Sequence, residues 1–240
     1  MKRIVFILSM VIGCLSINAK TLIVYYSYTN NVEKIVNELS RQIETDVVEI
    51  EPAEKGLDYA TNNYAIGSAQ ISAIKNNPDD ISSYPAIDPV NVNLEEYDTI
   101  IVAAPLWWSQ MAAPLQTYLF HNGREMAGKN IGLIVSSASS GISGVESDAK
   151  RLIPDGHFLN PSLWIRSSQT SNASSMLESW LKEIDYEKLT SGIDPIAKDL
   201  VTDFTVYSLS GKQLMYKSKS IDSLQAGIYI INGNKTLISR

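Results

Sequence analysis

The side chains best placed to bind a ligand lie in a polar stretch between an apolar run and a helical repeat. This stretch consists of Ser27, Thr29, Asn30, Asn31 and Val32, with Tyr28 among them. Hydroxyl groups beside the free N–H groups of a helix start form an anion site without a lysine. Phosphate loops of this kind need a positive φ, which glycine usually provides, and Asn30 can replace glycine because asparagine adopts that conformation cheaply. Serine, threonine and asparagine are also the commonest helix caps, so an ordinary cap is the alternative.

Two further stretches have the composition of a binding site for a flat ring. The first, directly after a buried apolar run, is Pro105, Leu106, Trp107 and Trp108. One tryptophan can pack inward while the other lies flat beside a planar ligand; two aromatic residues of a core or an interface are the alternative. The second consists of small residues that let backbone amides approach a ring closely: Ser137, Ala138, Ser139, Ser140 and Gly141.

Several other chemistries are excluded by what the sequence lacks. Cys14 is the only cysteine and lies in an N-terminal segment that we expect to be removed, so we expect no disulfide or thiolate chemistry. His121 and His157 are far apart in the sequence, and we interpret each as a surface or loop residue. No G-x-G-x-x-G follows a strand, and there is no P-loop. Residues 141–144 read Gly-Ile-Ser-Gly, which lacks the spacing of a nucleophile elbow.

The charge balance limits the partners. The whole chain carries −6, residues 1–19 carry +2 and residues 201–240 carry +3, which leaves −11 on residues 20–200. A surface this acidic repels nucleic acid and anionic membranes. We therefore expect no nucleic-acid partner, and any bound phosphate must be held by amides and hydroxyls.

The elements that position these stretches alternate between strand and helix. Apolar runs predict five strands, at Thr21–Ser27, Val47–Glu51, Thr99–Ala104, Ile131–Ser136 and Ser162–Arg166. The helical spacing between them predicts a doubly wound α/β domain with a five-stranded parallel sheet in the order 2-1-3-4-5. Ligands bind such a sheet outside the carboxyl ends of its strands, where the three stretches meet. A phosphate at one loop and a planar ring between the other two describe flavin mononucleotide (FMN).

One long excursion separates the second and third predicted strands. It covers residues 53–97 and is predicted to be helical around Ala65–Ile74. Loops of this length are often lids or insertions. Three of its aromatic residues are therefore either part of a lid or, more simply, tyrosines whose rings pack while their hydroxyl groups face solvent: Tyr59, Tyr64 and Tyr84.

Two helix starts have the sequence of a capping box. Ser143 with Glu146, and Ser175 with Glu178, both precede apolar residues at helical spacing. We predict that each serine caps the helix that follows.

Residues 21–185 resemble the flavodoxin-like family of FMN-binding domains. The matching segments are TLIVYYSYTNNVEKI (21–35), YDTIIVAAPLWWSQMAAPLQTYL (97–119) and SSASSGISGVESDAKRLIPDG (136–156). The resemblance implies a flavodoxin-like fold, non-covalent FMN binding, and electron transfer to a redox partner protein or a small electron acceptor. It also implies phosphate contacts at residues 27–32 and contacts with the isoalloxazine ring at residues 105–108 and 137–141.

The first stretch departs from the family pattern at two positions. Asn30 stands where the family has glycine, and Val32 stands where it has a last threonine. Losing one hydroxyl from an anion site costs about 1 kcal/mol of binding free energy. A flavin-free flavodoxin fold that serves as a binding or surface module is therefore the alternative function.

The N-terminus predicts export. Basic residues precede the apolar stretch Ile4–Ile12, and we interpret residues 1–19 as a secretory signal. A lipid anchor at Cys14, in a lipobox-like context, is the less favoured alternative. We expect an extracytoplasmic protein (periplasmic, outer-surface or secreted) with no transmembrane segment in the mature chain.

The C-terminus differs in character from the rest of the chain. Residues 186–200 are predicted to be a linker, and residues 201–240 a small antiparallel β unit, because apolar and polar residues alternate between turn signals. VYSLSGKQL (206–214) and SLQAGIYIING (223–233) resemble the C-terminal sorting domains of the type IX secretion system. That resemblance implies passage through the periplasm; a β unit that merely docks is the alternative.

Overall fold

The computed structural model describes residues 19–190, 204–218 and 220–238. The chain divides into two units, residues 19–193 and residues 194–240. The predicted signal sequence before residue 19 and the predicted linker from residue 191 to 200 lie outside the described residues. Among the described residues, no helix is both long enough and apolar enough to cross a bilayer.

The first unit is built on one mostly parallel sheet. Its strands are β1 (Thr21–Tyr25), β2 (Asp46–Glu49), β3 (Thr99–Trp107), β4 (Gln110–Met111), β5 (Asn130–Ser137), β6 (His157–Phe158) and β7 (Leu163–Arg166). β2, β1, β3 and β5 are neighbours in that order, both β6 and β7 pair with β5, and only β4 is antiparallel. The predicted order is confirmed. The fifth strand is divided, and only its second piece falls where the sequence predicts a strand.

In the described part of this unit, six α-helices pack against the sheet. They are α1 (Asn31–Leu39), α2 (Thr61–Asn76), α3 (Ala113–Asn122), α4 (Ser143–Leu152), α5 (Ala173–Glu183) and α6 (Tyr186–Thr190). Side chains alternate across each strand, so Leu22 and Val24 pack in the cluster with α2, α3 and α4, and Ile23 packs in the cluster with α1 and α5. Burial on both faces explains why β1, β3 and β5 read as continuous apolar runs.

Neither predicted capping box forms. The carbonyl of Ile142 already accepts a bond from the amide of Glu146, so α4 begins one residue before the position that a Ser143 cap requires. A 3₁₀ turn, Ser167–Asn172, runs directly into α5, and the Ser175 hydroxyl donates back to the carbonyl of Asn172. At α5 the preceding 3₁₀ turn therefore takes the role that the sequence assigns to a serine, whereas α4 begins without a side-chain cap.

The long excursion packs on the sheet through its aromatic residues. α2 has left-handed residues at Asn62, Asn63 and Tyr64 and is regular from the next residue on, where the sequence predicts a helix. Tyr59 and Tyr84 are buried, whereas Tyr64 is 51% exposed. Tyr59 and Tyr84 therefore pack as the simpler interpretation predicts, but their hydroxyl groups do not face solvent: that of Tyr59 is buried, and that of Tyr84 bonds to Pro78 and Arg151.

The second unit is an antiparallel sheet, as predicted. Its strands are β8 (Phe204–Ser208), β9 (Gln213–Ser218), β10 (Gly227–Ile231) and β11 (Asn234–Ile238), in the order β11-β10-β8-β9. α6, which begins at Tyr186 in the predicted linker, belongs to the first unit, because the buried Tyr186 hydroxyl bonds to Thr21 Oγ1 at 2.7 Å.

Candidate functional site

A cavity of about 370 Å³ opens at the carboxyl ends of β1, β3 and β5. Most of the predicted site residues line it: Ser27, Thr29, Asn31, Val32, Pro105, Leu106, Trp107, Trp108, Ser137 and Ala138. The wall that the structure describes does not include Asn30, Ser139, Ser140 or Gly141. The topology therefore brings all three stretches to one cavity, although three of the five residues of the third stretch lie outside its wall.

Asn30 acts through its backbone. It is the residue before α1 and has φ 61° and ψ 6°, the left-handed conformation that the sequence predicts for a residue in place of glycine. Its side chain makes no capping hydrogen bond. Ser27 Oγ instead accepts a bond from the amide of Glu33 at 3.2 Å, and Asn31 Nδ2 donates to Thr29 Oγ1 at 3.1 Å. The first turn of α1 thus points into the cavity past a loop of hydroxyls and amides.

Trp107 and Trp108 have different environments. β3 and β4 form a two-residue hairpin in which Trp108 and Ser109 both have positive φ, 45° and 62°. Trp107 packs inward against Tyr26 and Tyr59, with ring centroids 5.6 and 4.7 Å away. Trp108 is 46% exposed and stands at the cavity wall. A left-handed tryptophan costs about 1–2 kcal/mol, so the hairpin is strained at the residue best placed to cover a ring.

Helix α4 holds this hairpin in place. Asp148 Oδ2 accepts a bond from the amide of Met111 at 2.9 Å, and Asp148 Oδ1 lies 3.4 Å from Arg151. Burial raises the pKa of the Asp148 carboxyl above its usual value, while the Met111 amide and Arg151 oppose that change. Gly144 lies so close to Ser109 that a Cβ on it would be 1.8 Å from the Ser109 carbonyl oxygen. The tryptophan hairpin is therefore fixed by a buried carboxylate and by a close backbone contact.

The third stretch is a compact turn. Ser137 Oγ accepts a bond from Trp164 Nε1 at 2.8 Å and donates to the carbonyl of Ser140 at 2.9 Å. Ser137 and the exposed Ala138 line the cavity, together with Ser136 of β5. These bonds fix the turn with small side chains facing the cavity.

The excursion contributes wall residues that the sequence does not assign to the site. Tyr59, Tyr64 and Gly67 line the cavity, as do Tyr28 of the first loop and Ser167 after β7. The sequence indicates Tyr59 and Tyr64 as candidate lid residues, but nothing in the sequence around Gly67 indicates that it lines a cavity. A Cβ on Gly67 would lie 3.0 Å from Trp108 Cζ3, so this glycine lets α2 pack against the exposed tryptophan.

No Asp, Glu, Lys, Arg or His side chain belongs to the cavity wall that the structure describes. A second, acidic groove adjoins it on the far side of Ser27 and Tyr28, lined by Glu49, Glu51 and Glu54. In the described part of the chain, no cluster of potential ligands could hold a metal ion. The cavity suits an uncharged aromatic body with one polar end.

A family model described as flavodoxin matches residues 20–184. The chain belongs to the flavodoxin family. No curated protein matches it. Its fold is similar to a putative flavoprotein of Bacteroides eggerthii, with 23% identity over 70% of this chain and 99% of that one and a TM-score of 0.56. A putative flavoprotein of Bacteroides uniformis is also 23% identical, over 67% and 99% of the two chains, with a TM-score of 0.52.

A third similar structure holds a ligand. It is a flavoprotein of Lactobacillus acidophilus in complex with FMN, 21% identical over 65% of this flavodoxin chain and 99% of that one, with a TM-score of 0.50. At these identities the likeness shows the shared fold. Whether this flavodoxin takes the same ligand must be argued from its own cavity.

Proposed function

We propose that this flavodoxin binds FMN non-covalently in the cavity and transfers electrons. The observation that carries the proposal is one cavity lined both by the start of helix α1, which follows the left-handed Asn30, and by the exposed Trp108. The first feature suits a phosphate and the second a planar ring, and FMN has both at its two ends.

The donor set fits this ligand. The amides of the first turn of α1, with the Thr29 hydroxyl beside them, would hold the phosphate. Trp108 would cover one face of the isoalloxazine ring, and the small residues Ser137 and Ala138 would let backbone amides reach the ring edge. The exposed Tyr64 supplies a second aromatic side chain at the same wall, which the third stretch lacks.

The protein would supply binding, orientation and exclusion of water. A bound flavin accepts and donates electrons itself, so no side chain need serve as an acid or base. Trp107, packed on Tyr26 and Tyr59, gives the cavity a rigid apolar floor. The acidic surface of residues 20–200 would guide the protein to a basic redox partner; a small electron acceptor is the other partner class.

Export is part of the same proposal. The basic residues Lys2 and Arg3, followed by the apolar stretch Ile4–Ile12, support an extracytoplasmic location. A lipid anchor attached to Cys14 is the less favoured alternative. The four-stranded β8–β11 unit agrees with the alternating sequence that resembles type IX sorting domains. Fusing residues 186–240 to a reporter protein tests this: secretion of the fusion supports a sorting role, and retention in the periplasm contradicts it.

The alternative is a flavin-free binding module. A site that has lost its ligand is expected to fill with side chains, whereas this cavity retains about 370 Å³ beside an exposed tryptophan. This observation favours a bound flavin.

The experiment is reconstitution followed by redox transfer. Residues 20–240 are incubated with FMN, freed of excess ligand by gel filtration, reduced without oxygen and mixed with ferricyanide or cytochrome c. We expect one flavin per chain, a bleached visible spectrum on reduction and its return on adding the acceptor. A colourless protein after gel filtration would favour the flavin-free module, and a coloured one that cannot be reoxidised would contradict electron transfer.

A further inference from the structure

We propose that the site recognises the flavin ring far more than the phosphate, so that it takes uncharged riboflavin nearly as well as FMN. This inference rests on the proposed function, and it concerns which flavin that function uses. It follows from the hydrogen-bond donors at the phosphate end of the cavity, from the charges beside that end, and from the aromatic wall at the ring end.

The phosphate end offers only neutral donors, because the cavity wall that the structure describes has no Lys, Arg or His. A helix leaves its first four N–H groups unpaired, here those of Asn30, Asn31, Val32 and Glu33. The Glu33 amide already donates to Ser27 Oγ, and the Ser27 hydroxyl keeps its own proton for donation. Asn31 Nδ2 is turned toward Thr29, and Val32, only 2% exposed and packed in the α1 cluster, has no hydroxyl to give. Three backbone amides and the hydroxyls of Ser27 and Thr29 remain for an anion, and none of these donors carries a charge.

The charges beside this end oppose a phosphate. Glu49, Glu51 and Glu54 line the groove that shares Ser27 with the cavity. Lys55 also lines this groove, and its ammonium group is bonded to both Glu51 and Asp88. Burial raises the pKa of the Glu49 carboxyl, and the hydrogen bond from the Tyr25 hydroxyl opposes this change. The negative charges of Glu33 and Glu51 raise the pKa of Glu49 further, because these carboxylates are close enough to repel it.

A doubly charged phosphate at residues 27–32 would face this negative groove. Screening in salt solution acts over about 10 Å at 0.1 M, so the repulsion reaches across the shared Ser27 side of the cavity. The dipole of α1 attracts an anion, but its effect also falls off within the first turn. We therefore expect attraction and repulsion at the phosphate nearly to cancel.

The ring end carries the remaining affinity. Its wall is aromatic and apolar: Tyr59, Tyr64, Leu106, Trp107 and Trp108. Riboflavin has the same isoalloxazine ring as FMN and the same sugar-alcohol chain, and it lacks only the phosphate. Every contact with these side chains is thus available to both ligands.

The test is a pair of fluorescence titrations of residues 20–240, one with FMN and one with riboflavin. We expect dissociation constants within about fivefold of each other, and FMN binding that tightens about twofold or more between about 0.05 and 0.5 M NaCl while riboflavin binding stays constant. FMN binding more than about fivefold tighter than riboflavin binding, or weakened by salt, would overturn the inference and leave the proposed function standing. Binding of neither flavin would overturn both.

A charge variant gives an independent readout. Glu33→Gln removes the carboxylate nearest in sequence to the loop, and we expect FMN to bind about two- to threefold tighter with riboflavin unchanged. Glu95→Gln is the matched control, because Glu95 precedes β3 and so lies at the opposite end of the sheet. Equal FMN affinity in Glu33→Gln and Glu95→Gln would contradict the repulsion.

Discussion

Replacing Gly144 by alanine is expected to displace the tryptophan hairpin. A Cβ at residue 144 would lie 1.8 Å from the Ser109 carbonyl oxygen and 3.0 Å from the Ser109 carbonyl carbon. Ordinary van der Waals contact begins near 3.4 Å, so α4 and the hairpin must separate by about 1.6 Å. Both partners are backbone, so no side-chain rotation relieves the contact.

The free energy of unfolding should fall by about 2 kcal/mol. Overpacking costs about 1–3 kcal/mol or more, and the higher helix propensity of alanine returns about 1 kcal/mol. For a domain of this size the melting temperature should drop by about 4–8 °C. Because Trp108 precedes Ser109, FMN affinity should fall as well, by about tenfold.

Thermal unfolding and FMN titration of Gly144→Ala measure both effects. Gly141→Ala is the matched control, because it lies three residues earlier and a Cβ there meets nothing within 4 Å. We expect the control to melt like the unaltered protein. If the two variants melt at the same temperature, the close approach of α4 to the hairpin is refuted.

Three further predictions concern Asn30, Trp108 and Asp148. Asn30→Val places a β-branched residue at φ 61°, so FMN binding should weaken by about tenfold or more. Asn30→Gly should bind FMN at least as well as the unaltered protein. Equal FMN affinities of the two variants would refute the need for a left-handed residue at this position. Trp108→Ala should weaken FMN binding by about tenfold, with a change in melting temperature of at most a few degrees because the side chain is 46% exposed. An Ile81→Ala control removes a side chain that is 44% exposed outside the cavity wall and should retain the affinity. Burial raises the pKa of Asp148 in the folded state, so its contribution to stability is present at low pH and is lost as the pH rises through that pKa. Urea unfolding from pH 7 to 4 should therefore show the unaltered protein gaining stability relative to Asp148→Asn as the pH falls; a relative loss would mean that Arg151 and the Met111 amide dominate over burial.

The parts of the fold that the sequence predicts well are those set by local chemistry. β1, β3 and β5 are buried on both faces, so each is a continuous apolar run that no other element explains. Asn30 is predicted to be left-handed because few residues other than glycine adopt that conformation cheaply, and its φ of 61° agrees.

The parts that the sequence does not predict depend on distant contacts. The left-handed turn at Trp108 and Ser109 lacks the Asn-Gly or Asp-Gly sequence typical of such hairpins, and it is held by Asp148, 37 residues from Met111 in the chain. Gly67 enters the cavity wall only because α2 packs against Trp108. Serines are common at helix starts, but whether one caps the helix depends on the preceding turn, as Ser175 shows.

The central claim is that one cavity holds a flavin phosphate at the Asn30 loop and the flavin ring beside Trp108. A titration of FMN with residues 20–240, following the flavin fluorescence, tests it most directly, because an adjacent tryptophan quenches that fluorescence. We expect saturable quenching that reaches completion at one protein chain per flavin. Unchanged fluorescence at a protein concentration of about 100 μM, which is equivalent to binding weaker than about −5.5 kcal/mol, would contradict the claim.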